Sequence, residues 1–200
     1  LGTAHFSTTS QITLRMLSDR VEATGRSFLK RRQQAAAEFR GRVVRDSDAY
    51  RLVHGEADGL PGLVVDRYGD YLVLQALTQG MDRATPELVS CLRELLAPAA
   101  IVARNDAAVR IKEGLKLEVK LLSGQVPERA EVRIHGLRFF ADLLHGQKTG
   151  MFLDQRENYA AAARHAHGRA LDCFTSGGGF AVHMAARCES VETADSSGAA

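Results

Sequence analysis

Residues 171–180 read Leu-Asp-Cys-Phe-Thr-Ser-Gly-Gly-Gly-Phe, and residues 190–195 read Ser-Val-Glu-Thr-Ala-Asp. An apolar run, a glycine turn, a helix-forming stretch and a second apolar run predict a strand, a turn, a helix and a parallel strand. Glycines in such a turn let the backbone approach a ligand. Asp195 follows Gly177 by 18 residues, where doubly wound folds bind a ribose hydroxyl. The segment therefore predicts the first part of a nucleotide-type cofactor site.

Asp172 bears on which cofactor this turn would hold. A dinucleotide places its pyrophosphate at the helix N-terminus, where a carboxylate at the end of the preceding strand is unfavourable. S-adenosylmethionine carries a sulfonium and an α-ammonium, and a carboxylate pairs with such cations. Val182 also occupies the third glycine position of a G-x-G-x-x-G motif. The pattern favours S-adenosylmethionine over NAD, and an NAD(P)-dependent oxidoreductase is the rival enzyme.

The composition is that of a chain with a folded core. It has 200 residues, of which 45% are hydrophobic, and no apolar run approaches the roughly 20 residues that span a bilayer. We therefore expect a cytoplasmic protein with no membrane partner. Cys91, Cys173 and Cys188 are too scattered for a disulfide framework, and no zinc-site spacing occurs among the cysteines and histidines. We expect three buried thiols and no metal.

The charge is unevenly distributed along the chain. The formal net charge is +2, but residues 15–51 contain ten Lys/Arg against five Asp/Glu, including Lys30, Arg31 and Arg32. Clustered cations on one face favour binding to the phosphates of a nucleic acid. The alternative is a solvated helix face, and both interpretations remain open.

The first two-thirds of the chain predicts a compact α+β region. The expected elements are a helix over 27–43, strands over 50–54, 63–66 and 71–77 in a β-meander, a helix from about Thr85 to Leu96 with Pro86 at an N1-like position, and a strand over 99–104. Residues 1–11 show no complete strand pattern, and we expect them to be the tail of an upstream segment.

The last third predicts a β-hairpin followed by a βαβ unit. Residues 132–142 alternate around a turn at His135-Gly136, and the alanine-rich residues 157–165 are helical in character. The strand, turn, helix and strand of the opening segment follow. Two strands leave a parallel sheet incomplete, so we expect either a fragment or a sheet completed by something else.

Several segments together resemble the bacterial 23S ribosomal RNA (cytosine-C5) methyltransferases, within the class I S-adenosylmethionine-dependent superfamily. The string over 147–156 is the most specific of them. The resembling segments are Gly-Glu-Ala-Asp-Gly-Leu-Pro-Gly-Leu-Val-Val-Asp-Arg-Tyr-Gly over 55–69, Arg104-Asn105-Asp106 with Val109-Arg110 and Glu113-Gly114, His-Gly-Gln-Lys-Thr-Gly over 145–150 running into Phe-Leu-Asp-Gln-Arg over 152–156, and the glycine turn.

The resemblance implies three domains and a set of cofactor contacts. Residues 1–12 would end a PUA-like RNA-binding domain, 13–130 would form a central α+β domain, and 131–200 would form the first part of a Rossmann-like methyltransferase domain. Asp172 would contact the methionine ammonium and Asp195 the ribose. The residues implied to bind S-adenosylmethionine are Phe152, Leu153, Gln155, Arg156, Asp172, Phe174, Gly177, Gly178, Gly179, Phe180, Asp195 and Ser196.

The chain departs from the family pattern in its turn and in its catalytic groups. The family turn usually reads Tyr-Thr-Gly-Gly-Phe, whereas residues 176–180 read Ser-Gly-Gly-Gly-Phe. The cysteine that adds to the cytosine ring, and the Asp-Pro-Pro segment near it, lie further along the family sequence than this chain extends. Cys173 is a poor substitute, because a neighbouring carboxylate and burial would disfavour its thiolate.

These observations predict an enzyme that forms 5-methylcytosine in large-subunit ribosomal RNA, with ribosomal RNA as partner and with the 200-residue chain inactive alone. A non-catalytic RNA-binding module is the alternative outside enzymes. Lys148 lacks the glycines of a P-loop, so we expect it to contact RNA phosphate, to hold its loop, or simply to be exposed. Asp154 is expected to cap the helix that follows it. The sequence leaves the oligomeric state open, with a homodimer among the alternatives.

Overall fold

A computed structural model of the protein describes residues 1–196. Its largest element is a five-stranded mixed sheet in the order β3-β4-β5-β6-β7, in which β5 and β6 are parallel and the other neighbours antiparallel. The strands are β3 Ala49–His54, β4 Leu63–Tyr68, β5 Tyr71–Ala76, β6 Ala100–Asn105 and β7 Glu118–Gly124.

Side-chain alternation along these strands fills two cores on opposite faces of the sheet. On one face Leu72 and Leu74 pack with helices α1, Arg26–Val43, and α2, Gln79–Leu96. On the other face Val73 and Val102 pack against a hairpin formed by β8, Ala130–Ile134, and β9, Leu137–Ala141. A short helix, α3, spans Val109–Lys112. The predicted α+β character of this region is confirmed.

Helix α2 begins earlier than the sequence pattern indicated. Thr78 is its N-cap, and its side chain accepts a hydrogen bond from the backbone N–H of Met81 at 3.4 Å. Pro86 lies inside the helix rather than at its first position. The expected start at Thr85 was therefore wrong, because the threonine cap and not the proline sets the boundary.

The first residues form a strand that was not expected. Strand β1, Thr3–Phe6, pairs antiparallel with β2, Leu14–Ser18. Ser7 Oγ then donates to Glu113 Oε2 at 2.8 Å, which ties the ribbon to the region after β6. The β1–β2 pair crosses the boundary predicted between residues 12 and 13, and the assignment of residues 1–12 to a PUA-like domain stays a prediction.

The last third has the predicted hairpin and βαβ unit. His135 and Gly136 both have positive φ, 50° and 77°, as a tight two-residue hairpin turn requires. A 3₁₀ turn over Leu153–Gln155 leads into α4, Arg156–His165. Strand β10, Arg169–Cys173, helix α5, Gly179–Ala185, and strand β11, Ser190–Ala194, follow, and β10 and β11 pair in parallel.

The cysteines differ from the expectation of three buried thiols. Cys91 is buried on α2, but Cys173 is exposed and Cys188 is half-buried. Cys173 alternates outward at the end of β10 while its neighbour Asp172 points inward, so burial plays no part in its chemistry. No helix within residues 1–196 combines the length and apolarity needed to cross a membrane.

Candidate cofactor site

The turn between β10 and α5 has an unusual backbone conformation. Phe174 and Ser176 have φ values of 61° and 49°, and Gly178 has 74°. Positive φ is uncommon for residues with a side chain, and such strain concentrates at functional sites. The N–H groups of Phe174 and Thr175 both donate to the carbonyl oxygen of Ala194, at 2.7 and 3.2 Å. The turn is therefore fastened to the end of the neighbouring parallel strand.

Asp172 holds this turn from the end of β10. The residue is buried, and its Oδ2 accepts hydrogen bonds from Thr175 Oγ1 at 2.7 Å and from the N–H of Ala181 at 3.1 Å. Both bonds fall on one oxygen of a carboxylate that can accept about four. Asp172 therefore orders the turn with acceptor capacity to spare, which fits a bound ammonium group. Contact with the methionine ammonium stays a prediction.

Asp195 holds the same turn from the end of β11. Its Oδ2 accepts the N–H of Ser176 at 2.8 Å. Asp172 and Asp195 thus lie at the carboxyl ends of two adjacent parallel strands, which is where doubly wound sheets bind their ligands. Two carboxylates beside an exposed turn suit the ammonium and ribose hydroxyls of S-adenosylmethionine by the chemistry of their oxygens.

The three glycines differ in what the structure demands of them. A Cβ on Gly177 would meet no atom within 4 Å, so the space above it is open. Gly178 has the positive φ noted above. A Cβ on Gly179 would lie 2.3 Å from Cζ of Tyr159. The close approach that the sequence assigned to a ligand is, at Gly179, an approach to a neighbouring helix.

Tyr159 connects the glycine turn to the segment before α4, and sequence reasoning missed it. Its ring lies edge-on to Phe180 with centroids 4.8 Å apart, and its hydroxyl donates to the carbonyl oxygen of Phe152 at 3.5 Å. Burial raises the pKa of the Tyr159 phenol above its ordinary value, so the group stays neutral. Two of the predicted cofactor residues, Phe152 and Phe180, are thereby brought to one side chain.

Lys148 and Asp154 form an ion pair across the loop that contains Phe152. Lys148 Nζ lies 2.8 Å from Asp154 Oδ1 and 4.6 Å from the centroid of the Phe152 ring. The hydrogen bond from this ammonium lowers the pKa of Asp154. Helix α4 has no side-chain cap, so the expectation that Asp154 caps it was wrong, since its carboxylate is taken by Lys148. Lys148 holds its loop, and its contact with RNA stays a prediction.

For the other residues predicted to bind the cofactor, the structure shows only local contacts and exposure. Leu153 packs into the core beneath the hairpin. Gln155 Oε1 accepts from Asn158 at 2.9 Å, and Arg156 Nε donates to Glu157 at 2.9 Å. Phe174 and Ser196 are exposed. Their roles in binding, like those of Gly177, Gly178, Gly179 and Phe180, stay predictions.

A buried chain of hydrogen bonds anchors this loop to the central sheet. The N–H of Met151 donates to Tyr68 Oη at 3.1 Å, and Thr149 Oγ1 donates to Asp66 Oδ2 at 2.6 Å. Because the single hydroxyl proton of Thr149 goes to Asp66, the 2.9 Å contact between Tyr68 and Thr149 is a donation from tyrosine. Arg51 completes the chain with two hydrogen bonds to Asp66, at 2.9 and 3.1 Å.

These buried hydrogen bonds fix the backbone just before Phe152. Asp66 and Tyr68 are fully buried on β4, and burial raises the pKa of Tyr68 well above its ordinary value. Thr149 belongs to the string over 145–150 and Asp66 to the string over 55–69, so two segments that carry the family resemblance meet here. The presence of both segments in the sequence was the available signal for a contact between them. Sequence analysis did not use it to predict the contact between Asp66 and Thr149.

His135 and His183 join the hairpin turn to α5. His183 Nδ1 lies 2.7 Å from the carbonyl oxygen of Gly179 and must donate to it, which leaves Nε2 as an acceptor. His135 Nδ1, 3.2 Å away, is then the donor to that Nε2. Burial lowers the pKa of His183, and the neighbouring His135 adds to the effect. The junction requires a neutral His183.

The basic cluster on α1 is paired within the protein. Lys30 bonds Glu94, and Arg31 bonds Glu22 at 2.9 Å. The guanidinium of Arg32 lies 5.2 Å from the centroid of the Phe28 ring. Each of the three cations has its own partner within the protein, and their binding to RNA phosphates stays a prediction. Across residues 1–196, no three His, Cys, Asp or Glu side chains come together as a metal site.

The amino-acid sequence has relatives of known name. It is 39% identical over 203 residues to ribosomal RNA large subunit methyltransferase I of Shigella boydii serotype 18, covering 98% of this chain and 51% of that protein. The protein of the same name from Cronobacter sakazakii is 40% identical with the same coverage. The chain thus spans about half the length of these curated relatives. No family model matches it.

Solved structures share the fold. A Streptococcus mutans protein described as a candidate SAM-dependent methyltransferase matches with a TM-score of 0.83 and 22% identity, over 99% of this chain and 52% of that one. The structure of SMU.776, a candidate methyltransferase complexed with SAH, matches with a TM-score of 0.83 and 21% identity. The predicted α/β, Rossmann-like fold is confirmed. The chain is homologous, over almost its whole length, to about one half of the ribosomal RNA large subunit methyltransferase I proteins.

Proposed function

We propose that this chain is the donor-binding half of an S-adenosylmethionine-dependent methyltransferase that acts on large-subunit ribosomal RNA. The observation that carries the proposal is the turn held between Asp172 and Asp195 at the carboxyl ends of two parallel strands. Its relatives of 39–40% identity are named as ribosomal RNA methyltransferases, and one structure with the same fold is complexed with SAH. An NAD(P)-dependent oxidoreductase has no comparable support.

The residues of the turn would hold the cofactor by charge and hydrogen bonding. Asp172 would accept the ammonium, Asp195 the ribose hydroxyls, and Gly177 would leave room for the ligand against the backbone. The apolar side chains of Phe152, Phe174 and Phe180 would contact uncharged parts of the ligand. When bound, S-adenosylmethionine supplies an electrophilic methyl group on its sulfonium.

Cytosine C5 is the proposed position of methylation, and it rests on the family resemblance of the sequence. Adding a methyl group at that carbon requires a cysteine thiolate to add at C6 first. Cys91 is buried on α2 behind the central sheet, so it has no access to RNA. Cys173 is exposed, but it follows Asp172 directly at the end of β10. Cys188 is half-buried and lies before β11, whereas the resemblance places the family's cysteine well beyond that strand. We propose that none of the three is the nucleophile and that the group is supplied by another part of the full protein.

The domain arrangement and cellular setting complete the proposal. Residues 1–12 would end a PUA-like domain, 13–130 would form the central domain, and 131–200 would begin the methyltransferase domain; residues 197–200 lie outside the described part. An enzyme of ribosomal RNA would act in the cytoplasm. A homodimer is the oligomeric state that we propose for testing by sedimentation.

Calorimetry on the full-length protein tests the cofactor assignment. S-adenosylmethionine should bind and NAD should not. Asp172→Asn and Asp195→Asn should each weaken S-adenosylmethionine binding about tenfold or more, because a hydrogen bond to a charged group contributes roughly 1.5–3 kcal/mol. Asp70→Asn, at an exposed turn between β4 and β5, is the matched control and should bind as wild type. Tighter binding of NAD, or equal affinities for all four proteins, would contradict the assignment.

A further inference from the structure

The β8–β9 hairpin presents two faces of opposite character. Val132, Ile134 and Phe139 point inward and are buried in the core against the central sheet. The alternate positions Glu131, Arg133, Arg138 and Phe140 point outward and are exposed. We call the exposed side chains of Arg133, Arg138 and Phe140 the hairpin face.

Two cations stand directly opposite each other on the hairpin face. Arg133 and Arg138 are cross-strand partners, and like charges in that position destabilise a hairpin. Arg138 approaches Glu131 at 3.9 Å, with both side chains well exposed. Among residues 1–196, no carboxylate lies within ion-pair distance of the Arg133 guanidinium. An anion bound between the two arginines would relieve their repulsion.

An aromatic ring completes the hairpin face. Phe140 is 57% exposed and lies two residues after Arg138 on the same side of β9. An exposed ring beside cations is the combination that binds single-stranded nucleic acids, because bases stack on the ring while phosphates pair with the cations. The partner that fits is therefore anionic and carries flat, stackable groups.

The hairpin is held rigidly, and its tip and its inward side contact the helix that follows the cofactor turn. Asp48 Oδ1 accepts the N–H of Arg133 at 2.6 Å, and the N–H of Asp48 donates to the carbonyl oxygen of Arg133 at 2.9 Å. At the hairpin tip His135 bonds His183 at 3.2 Å, and the ring of Phe139 stacks on His183 at 5.8 Å. His183 lies on α5, the helix that begins at the glycine turn.

We propose that the hairpin face binds a single-stranded segment of the RNA substrate, with a base stacked on Phe140 and phosphates paired with Arg133 and Arg138. The inference rests on the proposed function, because it takes RNA as the substrate class. It adds the strandedness of the RNA and the surface that binds it.

The experiment measures binding of the full-length protein to a fluorescein-labelled single-stranded oligoribonucleotide of mixed sequence by anisotropy, at several salt concentrations. The double variant Arg133→Gln/Arg138→Gln should bind more weakly and should reduce the slope of log affinity against log salt by about 1.4, or about 0.7 for each lost phosphate contact. Arg83→Gln/Arg93→Gln, two exposed arginines on α2, is the charge-matched control and should leave the slope unchanged.

Variants at Phe140 separate stacking from simple apolar contact. Phe140→Tyr should retain affinity, whereas Phe140→Leu, which keeps an apolar side chain but has no aromatic face, should weaken binding at least about fivefold. If Phe140→Leu binds RNA as wild type does, the face docks a protein surface instead and the proposal is wrong. Equal losses for both arginine pairs would also overturn it, since the effect would then be general charge.

Two further measurements keep the outcomes distinct. Thermal unfolding should show no loss of stability in any variant, and the double arginine variant should be at least as stable as wild type because it removes the repulsion between the two cations. A large loss of stability with unchanged RNA binding would show that another part of the protein covers the face. S-adenosylmethionine affinity, measured by calorimetry, should be the same for wild type and every hairpin variant. If wild type binds RNA through this face but binds no S-adenosylmethionine, the proposed function fails while the inference stands.

Discussion

At Gly179, hydrogen is the only side chain that the packing of α4 against α5 accepts. A methyl group there would lie 2.3 Å from Tyr159 Cζ, a ring fixed by its contact with Phe180. We expect Gly179→Ala to destabilise the protein by about 1–3 kcal/mol, the usual cost of overpacking. Urea unfolding of the full-length protein would measure it.

Gly177→Ala is the matched control in the same turn. The space around this position is open and its φ is not positive, so unfolding should be unchanged within about 0.5 kcal/mol. If a ligand lies against this backbone, the same variant should lose S-adenosylmethionine affinity while keeping its stability. Equal stability losses for Gly177→Ala and Gly179→Ala would contradict the packing argument.

Thr149 stands in the middle of the buried chain between Met151 and Asp66. Thr149→Val keeps the shape but removes the acceptor of the Tyr68 proton and the donor to Asp66. Leaving buried polar groups without partners costs about 1–3 kcal/mol each, so we expect a loss of at least about 1 kcal/mol. Thr149→Ser retains the hydroxyl and should lose much less in urea unfolding. Equal losses would assign the effect to the missing methyl group.

At the scale of single residues, sequence analysis predicted correctly those residues whose place in the fold follows from the spacing of apolar runs along the sequence. Asp172 and Asp195 were placed at strand ends by the spacing of the apolar runs, and the structure puts both carboxylates on the turn between them. Tyr159 was missed because nothing in its own helix distinguishes it from a core residue. Its importance arises from Gly179, which is 20 residues away and meets it only in the folded chain.

At the scale of elements, the junction between the hairpin and α5 should respond to pH. The folded-state pKa of His183 lies below its ordinary value of 6.5, so the unfolded chain binds a proton more readily. The contribution of His183 to the free energy of unfolding is therefore fully present above about pH 6.5 and is lost as pH falls below that value. Carboxylates with lowered pKa values, such as Asp154 and Glu113, also lose their stabilising contribution as pH falls, but only at more acidic pH than His183.

Urea unfolding at about pH 7.5 and about pH 5.5 would measure this dependence. His183→Gln should unfold with a smaller difference between the two pH values than wild type. His5 also has a lowered pKa and contributes with the same sign, so some dependence should remain in the variant. His167→Gln, at an exposed residue after α4, is the control and should behave as wild type. An unchanged difference in His183→Gln would show that the junction does not titrate.

The elements themselves were predicted well where hydrophobic periodicity was strong. Helix α1 was predicted from helix-forming residues with an apolar face. Strands β3 to β6 were predicted from short apolar runs, which are typical of strands in a sheet covered on both faces. The start of α2 was missed because Thr78 caps a segment that contains Gly80 and Pro86, both weak helix formers. Strand β1 was missed because its four residues gain stability from pairing with β2 rather than from their own pattern.

At the scale of the whole molecule, the described part packs the glycine turn and the central sheet into one unit. The hydrogen bonds that run from Met151 through Tyr68 and Thr149 to Asp66 cross from the region before residue 130 into the region after it. The boundary predicted near residue 130 therefore separates segments that share a core. Composition and motif spacing could not show this, because the contacts join residues more than 80 positions apart or depend on a turn conformation.

The last prediction concerns how the molecule as a whole meets RNA. Lys30, Arg31 and Arg32 were predicted to bind phosphates, and two of them are paired with Glu94 and Glu22. Exposed pairs contribute only about 0–1 kcal/mol, so a phosphate can displace these carboxylates, although they compete with it. We expect the triple alanine variant to reduce the salt slope by about 0.7–0.9, the value for one phosphate contact. That is less than the hairpin arginines should give.

Anisotropy titrations at several salt concentrations, with wild type and the triple variant side by side, would measure the slope. S-adenosylmethionine affinity should not change, because the cluster lies on α1 and contacts α2 and the segment before it, away from the glycine turn. If the plots of log affinity against log salt superimpose for the two proteins, the three cations pair only with groups of the protein itself. RNA would then bind through other surfaces. A slope change larger than that of the hairpin double variant would instead make α1 the main electrostatic contact.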